Sequence, residues 1–430
     1  MASMGSVGVF SRVGLAALLA TACSDDDSSA TPDDSTTTGA SGTTTDDPTT
    51  TTTTEPADDS GSSDGGSETG EPLPPPPPSY GQWEKVEIPG TVCGNGSQYK
   101  FFVNYSETSD DVMIIFEPGG ACWDYDSCTG QTSLGAANPN GIPDDHLNGF
   151  LGVHTPLLNR DVPDSPVGDW NYVFMPYCTG DVHTGRALTT YVDPDGVQPD
   201  LEYHHNGHDN VVAATDWMST QFPAVPRLLV TGCSAGGAGA TANYYFLRNG
   251  LEPERGYLLA DSGPVFPNSE FSAPLHADID ASWNTTAVLA EEEDFAELQD
   301  DFGLINERLA DLFPEDRLGF AFFRRDFNYS RYSYERFYTP TPTKEEIHEM
   351  WWDDTQKLMA QFDTRDNLSY YIPYWREFND SHCTMVGISW SGTEIQEAGV
   401  DLSDYIEHVL DDDVPMQSWL ESEQPGEDQG

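Results

Sequence analysis

Basic residues are scarce in this chain: 18 Lys and Arg stand against 73 Asp and Glu, a formal net charge of −55 over 430 residues. A protein so poor in cations has little with which to neutralise phosphates, so nucleic acid is excluded as a partner. Long apolar runs are missing too. The run near the N-terminus, Val13 to Ala22, is too short to span a bilayer as a mature helix, and no later segment is apolar enough to cross one. Cysteines number only seven, and none stands in a C-x-x-C pair with histidines nearby, which argues against a zinc site.

What is present at the N-terminus is Arg12, the Val13–Ala22 run and then Cys23. Residues 1–22 read as a secretory signal. Leu18-Leu19-Ala20-Thr21-Ala22-Cys23 resembles a bacterial lipobox, in which the cysteine is lipidated and becomes the first residue, although Ala20 stands where leucine is usual. Plain cleavage after Ala22 is the alternative. Ser24 after the cysteine favours sorting to the outer membrane. Residues 23–79 are Thr, Ser, Asp, Gly and Pro, with a threonine run at Thr49–Thr54 and a proline run at Pro74–Pro78. Such a stretch cannot offset its ordering entropy and reads as a disordered tether. The expectation is an exported chain: a cell-surface or outer-membrane lipoprotein touching the membrane only through its lipid, or else a secreted or periplasmic protein.

Residues 80–411 are then expected to form one large α/β domain and 412–430 an acidic tail. From Tyr80 onward 60 acidic and 17 basic residues remain, a net of −43, so the tether does not account for the charge. Charge of that size fits a salty medium, where screening shortens to about 3 Å at 1 M. Without Cys23 the cysteines are six (93, 122, 128, 178, 233 and 383), an even number in an exported chain, and disulfides are expected.

The strongest local signal is Gly232-Cys233-Ser234-Ala235-Gly236-Gly237, set between the apolar run Leu228-Leu229-Val230 and a helical segment, Ala238 to Arg248. A strand, a sharp glycine turn carrying a serine and a helix make a nucleophile elbow, with Ser234 beside a helix N-terminus. A Gly-rich corner with an idle serine is the plain alternative. A serine needs a base to take its proton and an acid to orient that base, and in sheet hydrolases the order is Ser, acid, His. Four histidines follow Ser234. His276 comes too soon after the elbow, His348 reads as lying on the solvated face of a charged helix, and His408 sits in the acidic end. His382, in the polar loop Asn379-Asp380-Ser381-His382-Cys383 after the run Tyr370–Trp375, is the candidate base. For the acid, Asp261 closes the strand after the elbow helix and Asp326 closes a later apolar run; pattern alone favours Asp326 only slightly. Ala235 offers one oxyanion N–H. Glu117-Pro118-Gly119-Gly120-Ala121-Cys122-Trp123, after the strand Val112–Phe116, is a glycine turn suited to supply others. A second glycine turn, Pro176 to Gly185, follows the strand Tyr172–Met175.

Five blocks in this order resemble the pectin acetylesterase family, which includes Notum-type deacylases: Gly119 to Trp123, Pro176 to Asp181, Gly232 to Gly237, Ala260 to Gly263, and Asn379 to Cys383. The resemblance spans about Val86 to His382. It implies an α/β-hydrolase-like fold, with a mostly parallel central sheet and helices on both faces. It further implies no cofactor and a serine carboxylic ester hydrolase with Ser234 as nucleophile, His382 as base and Asp326 as acid, leaving Asp261 a structural role. The oxyanion donors would be Gly119, Gly120 and Ala235, and the disulfides Cys93–Cys178, Cys122–Cys128 and Cys233–Cys383. Two departures from the family pattern are Pro118, where a third glycine is usual, and Tyr329, near where a glutamine follows the acid. The expected substrate is an acylated polysaccharide or another ester, with acetyl the first expectation. A deacylase for longer acyl chains, or an inactive surface-binding lipoprotein, are the alternatives. The sequence leaves the oligomeric state open.

Overall fold

Val112–Phe116, Asn171–Met175, Arg317–Ala321 and Leu368–Ile372 are short apolar stretches in which every residue is buried in the computed structural model. Strands without a solvent face belong to a parallel sheet covered on both sides. The structure describes residues 78–132, 134–148, 155–163, 165–385 and 392–422. The signal segment, Cys23 and nearly all of the tether therefore lie outside the described residues, as does the chain from residue 423 on. The described residues fall in one compact unit, Pro77–Gly430.

The described residues form eleven strands: β1 (Trp83–Val92), β2 (Gln98–Asn104), β3 (Val112–Phe116), β4 (Asn171–Met175), β5 (Ala187–Tyr191), β6 (Leu201–His205), β7 (Arg227–Cys233), β8 (Arg255–Asp261), β9 (Arg317–Ala321), β10 (Leu368–Ile372) and β11 (Trp419–Leu420). Nine make one sheet in the order β1-β2-β4-β3-β7-β8-β9-β10-β11, and β5 and β6 form a separate hairpin. β1 and β2 pair antiparallel, as do β2 and β4. The rest of that nine-stranded sheet, β4-β3-β7-β8-β9-β10-β11, pairs parallel throughout. This is the mostly parallel sheet with surrounding helices expected of an α/β-hydrolase-like fold.

Parallel strands bring their carboxyl ends to one rim, which is where open α/β sheets place their ligands. The segments following β3, β7, β8, β9 and β10 carry Glu117–Gly120, Ser234, Ser262, Asp326 and His382 respectively, so every candidate residue leaves the sheet at that rim.

The C-terminal boundary differs from the sequence reading. Residues 412–430 were expected to be an acidic tail, yet Trp419 and Leu420 pair with Tyr371 and Ile372 as the sheet's last strand. Glu421 beyond them is 1 % exposed. Its carboxylate accepts from the backbone N–H of Tyr374 (2.6 Å) and from Arg376 Nη1 (2.8 Å). A strand of two residues leaves no periodic signal, and the acidic composition concealed a buried ion pair. Among the described residues no helix is long and apolar enough to cross a membrane.

Candidate active site

β7 ends at Cys233 and a helix, Ala235–Leu251, begins one residue after Ser234. Ser234 itself takes φ 57° and ψ −123°, a backbone conformation costly for a residue with a side chain. Its N–H donates to the Asp261 carbonyl (2.9 Å) and its carbonyl accepts from Ala238 (3.1 Å), so both neighbouring elements hold the turn in place. The helix start nearly touches the end of β3, an approach that leaves no room for a side chain at Gly236. A Cβ on Gly236 would lie 2.2 Å from the Phe116 carbonyl oxygen.

The acid and the base meet. Asp326 is fully buried and caps a helix, Phe327–Tyr334, with Oδ1 accepting from the Tyr329 N–H (2.9 Å). Its other oxygen, Oδ2, lies 2.8 Å from His382 Nδ1. A carboxylate there holds the proton of a neutral imidazole on Nδ1 and leaves Nε2 as the proton acceptor. Burial pushes the Asp326 carboxyl above its ordinary value, against the pull of His382. Burial also pushes the His382 imidazole down. The adjacent Asp326, helped by Asp261 and Asp380, outweighs that and leaves it above 6.5. The loop bearing His382 is held away from relaxed geometry: Asp380, Ser381 and Cys383 all have φ between 49° and 63°.

Asp261 does something else. It is fully buried, and Oδ1 accepts from Ser262 Oγ, the Thr384 N–H and Thr384 Oγ1, each at 2.9 Å. Oδ2 accepts from the Met385 N–H at 2.9 Å. Ser262 Oγ in turn accepts from the Cys383 N–H (3.0 Å). With its own carbonyl on the Ser234 N–H, Asp261 ties the serine turn to the loop that carries the imidazole. Burial pushes its carboxyl up to about 6, against those hydrogen bonds.

Among the described residues three disulfides are present, Cys93–Cys178, Cys122–Cys128 and Cys233–Cys383, the same pairs that the family resemblance implies. The last joins the residue before Ser234 to the residue after His382, and a His382 ring nitrogen lies within 4.8 Å of both its sulfurs. Cys122 and Cys128 likewise gather near His205. Bonded sulfurs offer no thiolate to a metal, so neither group is a ready metal site.

Gly119 (φ 143°) and Gly120 (φ 40°) form the turn after β3. A Cβ on Gly120 would meet the Gly135 carbonyl oxygen at 2.1 Å. Among the described residues, the N–H groups of Gly119, Gly120 and Ala235 donate to no protein acceptor, the condition an oxyanion site needs. Glu117, not singled out from sequence, braces this turn. Its carboxylate accepts from the Tyr177 N–H (2.7 Å) and Asn138 Nδ2 (3.2 Å), and Oε1 lies 2.8 Å from His146 Nε2. Its carbonyl oxygen is 3.1 Å from His183 Nε2. In the sequence Glu117 is only an acid ahead of a glycine turn, a pattern too common to single it out. The second glycine turn is scaffolding: buried Asp181 accepts there from Thr179 Oγ1 (2.6 Å) and from the N–H groups of His183, Gly185 and Gly207.

The remaining histidines after Ser234 lie elsewhere. His348 is 3 % exposed and packs edge-on against Phe327, which corrects its expected place on a solvated face. On that helix, Lys344–Phe362, the histidine falls among the buried positions Ile347, Trp351, Thr355 and Leu358, a face that also buries the charged Asp354. His408 packs against Trp419.

Comparison with known proteins matches residues 83–290 to the family model of the pectinacetylesterases. The chain is similar to the pectinacetylesterases. In fold it is also similar to the Wnt deacylase Notum from Drosophila, with a TM-score of 0.54 and 17 % identity, over 76 % of this chain and 92 % of that one. At that identity the likeness is one of fold. No curated protein matches the sequence. The pectinacetylesterase match contains Ser234, Asp261 and both glycine turns. It stops short of Asp326 and His382, whose pairing rests on the geometry above. Family and fold together support a carboxylic ester hydrolase.

Proposed function

We propose that the chain is an exported serine esterase that removes acyl groups, acetyl first among them, from carbohydrate. The observation that carries this reading is the 2.8 Å contact between Asp326 and His382 at the rim where Ser234 stands on its strained turn. Ser234 Oγ adds to the ester carbonyl carbon while His382 Nε2 takes its proton, and Asp326 stabilises the imidazolium that forms. The N–H groups of Ala235, Gly119 and Gly120 receive the carbonyl oxygen as it becomes negative. Collapse breaks the bond to the alcohol, which leaves with the proton from His382. Water, deprotonated by the same imidazole, then releases the carboxylic acid and restores Ser234.

A domain at −43 is repelled by a polyanion, which favours a neutral or heavily esterified glycan over de-esterified pectin. Export is supported by the signal-like N-terminus and three disulfides, and lipidation of Cys23 would make the tether a surface anchor. A serine-directed phosphonate should label Ser234 and stop p-nitrophenyl acetate hydrolysis. A Ser234→Ala variant that hydrolyses the ester at the wild-type rate rules the mechanism out, and a wild-type protein inert towards every simple ester leaves a surface-binding lipoprotein instead.

A further inference from the structure

Tyr329 and Tyr332 lie three residues apart on the helix that Asp326 caps, so they share a face. The Tyr329 ring stands 6.5 Å from the His382 ring. Tyr332 meets Tyr329 at 5.5 Å and, on its other side, meets Trp123 at 5.5 Å, both edge to face. Trp123 is three residues past Gly120, and it continues to Phe337 at 6.1 Å. The Arg336 guanidinium lies 4.7 Å over its ring. A row of aromatic rings therefore runs from His382 through Tyr329 and Tyr332 to Trp123, which packs with Tyr332 against the cluster holding Ala121 and Ala235 beside the oxyanion N–H groups.

Both ends of this row are fixed. Tyr329 donates its N–H to the triad acid, and Trp123 and Tyr332 pack against the apolar cluster that contains Ala121, Ala235 and Trp283. The carbonyl carbon of a bound ester has to sit between His382 and the N–H groups of Gly119, Gly120 and Ala235, so its acyl substituent starts between the two ends. Rings in edge-to-face contact at this spacing leave no passage for a methylene chain between them.

We infer that Tyr332, with Trp123 and Tyr329, limits the acyl length of this site, admitting acetyl and turning away chains of eight carbons. The inference rests on the esterase reading and adds to it the residues that choose the acyl group.

The test is kcat/KM on p-nitrophenyl acetate, butyrate and octanoate for the wild type, Tyr332→Ala, Trp123→Ala and Tyr332→Phe. The wild type should favour acetate. Each alanine variant should raise the octanoate-to-acetate ratio by about tenfold or more, the scale on which a pocket discriminates by methylenes. Tyr332→Phe, which keeps the ring, should keep the wild-type ratio. Because a ratio cancels any loss of folded enzyme, partial misfolding of one variant does not blur the result. A wild type that prefers octanoate, or alanine variants whose ratio does not move, overturns the inference while leaving the esterase intact. A wild type that hydrolyses none of the three sinks the esterase reading itself.

Discussion

In the proposed mechanism His382 is the residue on which pH acts. Its imidazole has to be neutral to accept the Ser234 proton, and the neighbouring Asp326, outweighing burial, holds its pKa above 6.5. Protonation at low pH removes the base, so kcat/KM for acetate esters should rise with pH and level off only above an apparent pKa higher than 6.5. A profile flat from pH 5 to 8 would contradict this. Asp326→Asn should keep the fold and lower kcat by about 10⁴-fold, the loss seen when a triad aspartate is replaced in a serine protease. Asp261→Asn should behave differently. The new amide can turn only one acceptor towards the four donors of Ser262, Thr384 and Met385, leaving a buried N–H unpaired. The expected cost is about 1–3 kcal/mol of stability, read by denaturant unfolding, with kcat falling because the His382 loop loosens. The sequence left these two aspartates as alternatives for a physical reason. Each follows a buried strand to the same rim, Asp261 at the end of β8 and Asp326 in the segment after β9, and it is the folded distance between residues 326 and 382 that separates them.

At the level of elements, the serine elbow was legible because its signal is local: strand, glycines and helix stand next to one another in the chain. The structure shows what the glycines are for. Gly236→Ala would drive a Cβ against the Phe116 carbonyl, so β3 and the elbow helix must separate. We expect destabilisation of about 1–3 kcal/mol or more, together with loss of activity, because the β3 end and its glycine turn would move away from Ser234. Glu117 was not legible, since its partners Asn138, His146 and Tyr177 come from three separate segments. Glu117→Ala should strand the buried Tyr177 N–H and free the Gly119–Gly120 turn. That predicts a fall in kcat larger than the change in KM, because a displaced oxyanion turn weakens the transition state more than the bound ester. With kcat taken per folded enzyme, a rise in KM at unchanged kcat would instead place Glu117 in holding the bound ester rather than in bracing the turn for the transition state. The short β11 escaped sequence reading for the opposite reason to the elbow: two residues paired to a distant strand carry no pattern of their own.

The molecule as a whole combines a rigid rim with an unusually one-sided charge. The Cys233–Cys383 bridge spans 150 residues of chain and joins the neighbours of the proposed nucleophile and base. Closing a loop of that length restricts the unfolded chain by about 5 kcal/mol in the entropic picture. Self-repulsion acts against this. With a net charge of −43 from Tyr80 onward, and exposed ion pairs of small individual worth, the folded state concentrates anions that the unfolded chain spreads apart. Salt screens that repulsion, shortening its range from about 10 Å at 0.1 M to about 3 Å at 1 M. Between those concentrations the melting temperature should therefore rise, and by more with sodium chloride than with an equal osmolality of a neutral sugar, which screens nothing. Hydrolysis of a neutral acetate ester at a temperature well below melting should change little over the same range, because neither the ester nor its transition state bears the chain's net charge. Activity against a partly de-esterified, anionic glycan should climb steeply with salt. A melting temperature that stays level, or falls, as salt is added would mean that the acidic surface serves solubility alone and that the fold's stability owes nothing to a salty medium.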